Sequence, residues 1–185
     1  QQQSTSLIWF GNNLRTQDNT VLQSALSTSK RVIGVYFLEP YWFETNNYGF
    51  NKMGRFRAKF LLETLKSLQQ ELQKLNITLL VFQDSAKYQM NNVVSTYNVC
   101  DIFLQKEWTY EEQNLFQNVK NTLSSGVNIH EVYDQFLFHP EDVSFNYAET
   151  PKVFTHFRKE LEKKSKVREP SKVRPQNQSF LLKKN

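Results

Sequence analysis

Val32-Ile33-Gly34-Val35-Tyr36-Phe37-Leu38 decides the fold. The run has no polar alternation and stops at Glu39-Pro40. A strand with one wet face alternates apolar and polar residues, whereas a continuous apolar run belongs to a strand covered on both faces. Four further runs resemble it: Leu7 to Phe10, ending at Gly11-Asn12-Asn13; Ile77 to Phe82; Asp101 to Leu104; and Val127 to Tyr133. Helical periodicity fills the gaps. Asp18 or Asn19 is placed to cap a helix carrying Val21, Leu22, Ala25 and Leu26 on one face. From about Lys52 to Leu75, Phe56, Phe60, Leu61, Leu65, Leu68, Leu72 and Leu75 recur three or four apart, which predicts one helical face. A weaker helix spans 87–97. Thr109-Tyr110-Glu111-Glu112 has the form of a capping box, and Gly126 a helix stop. Thr150-Pro151 predicts the start of a last helix with Val153, Phe154, Phe157 and Leu161 turned inward. Strands alternating with helices in this way imply an α/β fold, a doubly wound, five-stranded parallel sheet in a single domain.

Composition agrees. The chain has 185 residues, enough for one domain with a real core, and Phe outnumbers Gly and Pro combined (15 against 5 and 5), which argues against disorder. No stretch is long and apolar enough to cross a membrane. The opening Gln1-Gln2-Gln3-Ser4-Thr5-Ser6 lacks the charged region and apolar run of a signal peptide, so a reducing, cytoplasmic setting is the expectation. That setting also makes little of two glycosylation sequons, at Asn76 and Asn177. Cys100 is alone and sits in an apolar run, so it reads as a small buried hydrophobe. One Cys and three scattered His offer no metal-ligand spacing.

Charge is uneven. Residues 152–185 carry a net +8, while residues 1–151 carry −3. From about Ser165 the chain becomes Pro-rich and basic, with Ser165-Lys166-Val167-Arg168-Glu169-Pro170 nearly repeated as Ser171-Lys172-Val173-Arg174-Pro175. The reading is a domain over 1–164 and a basic linker or extended arm over 165–185, with Phe180-Leu181-Leu182 as a lone apolar patch.

Ligands of open doubly wound sheets bind at the carboxyl ends of the strands. The residues just past each strand here include Gly11, Asn12 and Arg15; Tyr41, Trp42 and Phe43; Gln105, Lys106, Glu107 and Trp108; and Asp134 to His139. Aromatic rings beside a few polar groups suit a flat heteroaromatic ligand or a docked second domain, although edge packing in a Phe-rich protein has the same composition. A glycine-rich phosphate motif and a nucleophile elbow are both missing. His130 lies within a strand, His139 precedes Pro140, and no two His suggest a catalytic pair.

Five segments carry a resemblance. They are Leu7-Ile8-Trp9-Phe10-Gly11-Asn12-Asn13-Leu14-Arg15; Tyr48 to Gly54 continuing through Arg57 to Leu65; Lys106-Glu107 with Thr109 and Glu111-Glu112; Phe138-His139-Pro140-Glu141-Asp142; and Pro151 to Lys159. In this order and spacing, over roughly residues 5 to 170, the chain resembles the N-terminal domain of photolyases and cryptochromes, nearest the DASH branch. The resemblance implies a Rossmann-like domain that helps to hold a light-harvesting antenna, usually a methenyl-folate or a deazaflavin. It implies that Glu107 contacts that group, with Lys106, Trp108, Tyr41, Trp42 and Phe43 as neighbours. A carboxylate accepting two ring N–H bonds suits this role. The family's FAD, redox and lesion sites belong to a helical domain outside this sequence, so FAD and repair are expected only where that domain is supplied in cis or by a partner, and no catalytic residue is assigned here. The departures are local. The family pattern after the first strand reads Trp-Phe-Arg-x-Asp-Leu-Arg, where this chain has Gly11 and Asn13, and Glu39-Pro40-Tyr41 replaces Asp-Pro-Arg. Two alternatives stay open: a stand-alone module for a small ligand or protein, and contact with DNA or another nucleic acid through Lys166, Arg168, Lys172 and Arg174 of the arm.

Overall fold

The computed structural model describes residues 4–176. The apolar patch Phe180–Leu182 and the sequon at Asn177 lie outside the described residues. Five strands, β1 (Thr5–Trp9), β2 (Arg31–Phe37), β3 (Thr78–Phe82), β4 (Val99–Gln105) and β5 (Asn128–Val132), form one sheet in the order β3-β2-β1-β4-β5. Every pairing is parallel. The fold is the expected doubly wound α/β sheet.

Two apolar clusters cover the two faces. α1 (Thr20–Thr28) and α2 (Arg55–Lys74) bury Val21, Leu22, Ala25, Leu65, Leu68 and Leu72 against Ile8, Val32, Tyr36 and Phe103. α3 (Ala86–Tyr97) and α4 (Tyr110–Thr122) bury Met90, Val93, Val94, Phe116 and Val119 against Leu7, Ile33, Val35 and Ile102. Alternate residues of β1 and β2 therefore serve opposite cores, which is why their sequences are apolar throughout. Gly34 makes room within the sheet: a Cβ there would lie 2.9 Å from the Phe10 ring.

Local signals hold in part. Asn19, rather than Asp18, caps α1, its Oδ1 accepting from Leu22 N at 3.0 Å. α2 is three residues shorter at its start than predicted, and its stripe divides. Leu65, Leu68 and Leu72 are buried, but Phe56 and Phe60 stay 84% and 70% exposed, because periodicity places residues on one face without supplying anything to cover it. The capping box at Thr109 does not close. Its hydroxyl donates to the Glu112 carboxylate, and Thr109 makes no side-chain bond to the helix backbone. Gly126 lies beyond α4 at φ 95°, in the turn into β5. The last helix, α5 (Phe154–Lys164), begins three residues after Pro151. Leu161 is buried and Phe157 half-buried, whereas Val153 and Phe154 face solvent, since they stand at the cap and first position of this later start. Cys100 is exposed, not buried. Thr5 pairs with Val99 and Ser6 with Asp101, so Cys100 is the extra residue of a bulge at the sheet's lower edge.

Residues 165–176 adopt no regular structure, yet side chains pin them along the domain. Arg168 pairs with both carboxylate oxygens of Asp142 at 2.5 and 2.9 Å, and Ser171 N donates to Asp18 at 2.8 Å. Val173 packs on the α1–α2 core. Gln176 then enters the lower edge of the sheet, only 7% exposed. Val32 N donates to its Oε1 at 2.8 Å, and its Nε2 donates to the Val32 and Asn76 carbonyls at 3.2 and 3.0 Å. Since β3 pairs with β2 only from Ile33 onward, the Gln176 amide continues the ladder by one residue.

Replacing Gln176 with Ala strands a buried N–H and C=O of Val32, at a cost of about 1–3 kcal/mol. Denaturant unfolding of the Gln176→Ala protein is expected to show a lower midpoint with an unchanged slope. An unchanged midpoint would mean that the arm adds nothing to stability.

Candidate functional site

The strand order reverses between β1 and β4, and a crevice opens at their carboxyl ends, the position that doubly wound sheets offer to ligands. A small cleft, open to solvent, lies there. Its walls are mainly aromatic, from Trp9, Phe10, Tyr36, Phe37, Tyr41 and Trp42, with Leu104 and Leu115. Its polar lining is Asn12, Gln105 and the three carboxylates Glu39, Glu107 and Glu112.

Each wall has a local cause. Tyr41 and Trp42 are held by a short 3-10 turn, Pro40–Trp42, that follows β2 directly, with the proline at its first position. Trp42 packs against Tyr36, their ring centroids 6.4 Å apart. The loop after β1 is fixed from within: buried Asn13 accepts from Gly11 N at 3.1 Å, and Asn19 Nδ2 donates to the Asn13 and Arg15 carbonyls at 3.3 and 2.7 Å. Asp134, past β5, closes the other side, accepting from Thr20 N, the Thr20 hydroxyl and Arg15 at 3.2, 2.8 and 3.1 Å.

Glu107 is half-buried. It accepts from Asn12 Nδ2 at 3.3 Å and from Gln105 Nε2 at 3.0 Å. Gln105 is buried, and its Oε1 has no partner among the described residues. Glu39 is 2% exposed; its Oε1 accepts from Ala86 N at 2.8 Å and so caps α3 from the end of β2. Burial pushes the Glu39 carboxyl above its ordinary value of 4.5, only partly offset by its bonds to Ala86 and Ser85. Burial likewise pushes the Tyr36 hydroxyl to about 12, keeping it a donor, and raises Tyr41.

The structure brings together three of the residues expected from sequence: Glu107, Tyr41 and Trp42 line the cleft. Phe43 ends the 3-10 turn, is 41% exposed and does not line the cleft. Lys106 and Trp108 turn to a neighbouring aromatic group, with Lys106 Nζ 5.0 Å from the Tyr133 ring centre and Trp108 stacking near Tyr133 and Phe136. Strand alternation explains the split, since Gln105 and Glu107 face one side of the extended chain and Lys106 and Trp108 the other. Gln105, named from sequence among the residues past the fourth strand, lines the cleft with Glu107, whose parity it shares; Glu39 and Glu112 line it too and were not expected there. In the arm, Lys166, Lys172 and Arg174 are exposed, while the guanidinium of Arg168 is engaged by Asp142 and Glu141 and holds the Asp142 carboxyl below its usual value. His130 is a sheet residue, its Nε2 2.8 Å from Asp101 and its ring stacked on Phe103. No helix is long and apolar enough to cross a membrane, and no group of three or more metal-ligating side chains forms, both among the described residues.

This architecture, and the sequence with it, matches a known family. The profile of the DNA photolyase family matches residues 6–176. The chain belongs to that family. It is 34% identical over 161 residues to a DASH cryptochrome of Synechocystis, covering 86% of this chain and 33% of that protein, and 28% identical over 172 residues to a chloroplastic/mitochondrial DASH cryptochrome of Arabidopsis thaliana, covering 91% and 30%. Among solved structures, the cryptochrome of Synechocystis superposes with a TM-score of 0.84 at 32% identity, over 97% of this chain and 38% of that one. A photolyase of Sulfolobus tokodaii, solved with two FAD molecules and an implied novel light-harvesting cofactor, superposes with a TM-score of 0.74 at 28% identity, over 92% and 37%. The chain thus spans about a third of the curated relatives it matches.

The raised Glu39 pKa has a definite consequence for stability. The folded protein holds that proton more tightly than the unfolded chain, so the contribution is complete below pH 4.5 and is lost as pH rises through the elevated value. Unfolding free energy measured from pH 4 upward is expected to favour Glu39→Gln progressively over the parent protein across that window. A constant difference would show that Glu39 titrates normally.

Proposed function

We propose that this chain is the antenna domain of a photolyase-like blue-light flavoprotein, holding a flat heteroaromatic chromophore in the cleft between β1 and β4. The observation that carries this reading is the cleft itself: aromatic walls, an accessible Glu107 carboxylate, and a buried Gln105 carbonyl without a partner. A folate-type or deazaflavin-type ring fits such walls, and Glu107 would accept its N–H groups. When bound, the group absorbs near-ultraviolet or blue light and passes the excitation on. The chain's own residues position it: Tyr41 and Trp42 close one wall, Phe10 the floor, and Asn12 and Gln105 hold Glu107 in place.

The partner that completes the function is a helical FAD-binding domain, in cis or as a separate protein. Exposed aromatics support docking on the cleft side. Phe56 and Phe60 on the first turns of α2, with Tyr48 and Phe50 before it, form an apolar surface beyond what an isolated domain needs. The arm is a weaker basis for nucleic-acid contact, since Arg168 is already paired.

Protein purified from its native host is expected to absorb in the near-ultraviolet or blue, and Glu107→Gln to lower chromophore content several-fold at unchanged melting temperature. Colourless protein that takes up no folate or flavin analogue when titrated would refute the reading. For the docking surface, Phe56→Asp with Phe60→Asp is expected to abolish co-purification with a DASH-type helical domain supplied as a second chain; undiminished co-purification would place the interface elsewhere.

A further inference from the structure

Three anchors fasten the arm to the domain, and they differ in kind. At the lower edge of the sheet Gln176 is buried and bonds neutral backbone groups of Val32 and Asn76. Toward the start of the arm, Arg168 meets the carboxylates of Asp142 and Glu141 at the surface, and Ser171 N donates to Asp18 at 2.8 Å. Salt screens the exposed ion pair and leaves the buried neutral anchor almost untouched. Ser171 and Gln176 are five residues apart, a distance that extended chain covers in about 17 Å. That run passes from before the start of α1 to beyond its end, and the helix alone rises about 14 Å. The arm therefore has little slack between its last two anchors.

What it grips at Asp18 is the loop after β1. Asp18 has φ 47°, in the left-handed region that aspartate tolerates at some cost. Its carboxylate accepts from Ser171 N and from no other donor among the described residues. The turn sends the Asp18 carbonyl toward Arg15, whose Nε donates to it at 3.0 Å. The Arg15 guanidinium continues to the carbonyl and carboxylate of Asp134, which also receives the N–H and hydroxyl of Thr20. A row of hydrogen bonds thus runs from the arm through Asp18 and Arg15 to the segment after β5. At the other end of the same loop, Asn12 reaches Glu107 in the cleft.

We propose that the arm is a strap that orders the β1 loop, with the Arg168 ion pair as its releasable fastening. While Arg168 is paired, Ser171 is held against Asp18 and the loop is fixed. Where the pair is lost or screened, the loop loosens and the sheet stays intact, because Gln176 remains seated. Arg168 and Asp18 are positioning residues for the rim of the cleft. The proposal is independent of what the cleft holds.

Residue-resolved amide hydrogen exchange of the full chain tests it. The amides of Gly11, Arg15 and Thr20 report the loop through their bonds to Asn13 and Asp134. Those of Ile33, Val35 and Phe103 report the sheet. Arg168→Met is expected to speed exchange at the three loop amides several-fold at low salt, with the sheet amides unchanged. In the parent chain, raising salt from about 0.1 M to about 1 M shortens the screening length from roughly 10 Å to roughly 3 Å and is expected to act in the same direction. Arg15 and Asp134 form an ion pair within the loop itself, so the deciding comparison is the variant: Arg168→Met is expected to lose most of this response to salt. Asp18→Asn, which keeps the left-handed turn and an acceptor oxygen, is expected to stay near the parent. Asp142→Asn carries the test if Arg168→Met does not fold. Unchanged loop exchange in the variant, or a salt response that persists in full, overturns the strap. Sheet amides speeding up as much as the loop would make the arm a support of the whole domain and overturn it equally.

Discussion

The reversal of strand order at β1 governs this molecule. The chain runs from β1 through α1 and α2 to β3 on one side, then across to β4 and β5 on the other, and parallel crossovers share one hand as a rule. Because handedness is fixed while direction changes, α1 and α2 fall on one face and α3 and α4 on the other. Between β1 and β4 the following loops part in opposite directions, and neither covers the strand ends. The cleft is the geometric remainder of that parting, and apart from Glu112 and Leu115 of α4 its lining residues are strand ends or the loops just beyond them.

Two contacts keep the remainder open. Glu39 reaches from the end of β2 to the start of α3, tying together elements that serve the same core. Asp134 ties the end of β5 to the start of α1, and Asn13 and Asn19 hold the loop between them from inside. Polar side chains here stand in for backbone pairing that the diverging loops cannot make. Asn13, where the family pattern has an acid, serves this internal purpose: its carbonyl oxygen receives the Gly11 N–H. The local charge lost at that position is replaced by a neutral bond that leaves the loop's course intact.

The sheet was legible because its strands are buried on both faces, which writes itself into Val32–Leu38 as unbroken apolar sequence. The place of Glu107, Tyr41 and Trp42 in the lining was legible because strand ends are readable and the crevice lies beside them. The remainder depends on what lies across space from a residue. Phe56 and Phe60 share a helical stripe with Leu65 and Leu72, but nothing in that stripe tells where the sheet beneath it ends. Cys100 reads as core until the bulge opposite Thr5 and Ser6 shifts it out. Lys106 and Trp108 flank Glu107 in sequence and oppose it in space, a period-two consequence that proximity alone conceals. Gln176 gives no local signal at all, since a polar residue in a basic, proline-rich arm reads as solvated until the vacant ladder position beside Val32 is seen.

Charge completes the picture. The chain's positive excess lies in its last residues and its negative balance in the domain. The fold does not mix the two at the cleft. The arm meets the domain's acids at Asp142 and Glu141, away from the strand ends, and then runs down to the opposite edge of the sheet. Carboxylates at the crevice are met by neutral donors of the domain, Glu107 by the Asn12 and Gln105 amides and Glu39 by the Ala86 N–H, while Asp142 and Glu141 beneath the arm are paired with Arg168. The crevice thus keeps apolar walls with carboxylates at its mouth, and a Cβ on Gly11 would come within 3.4 Å of Glu107 Oε1.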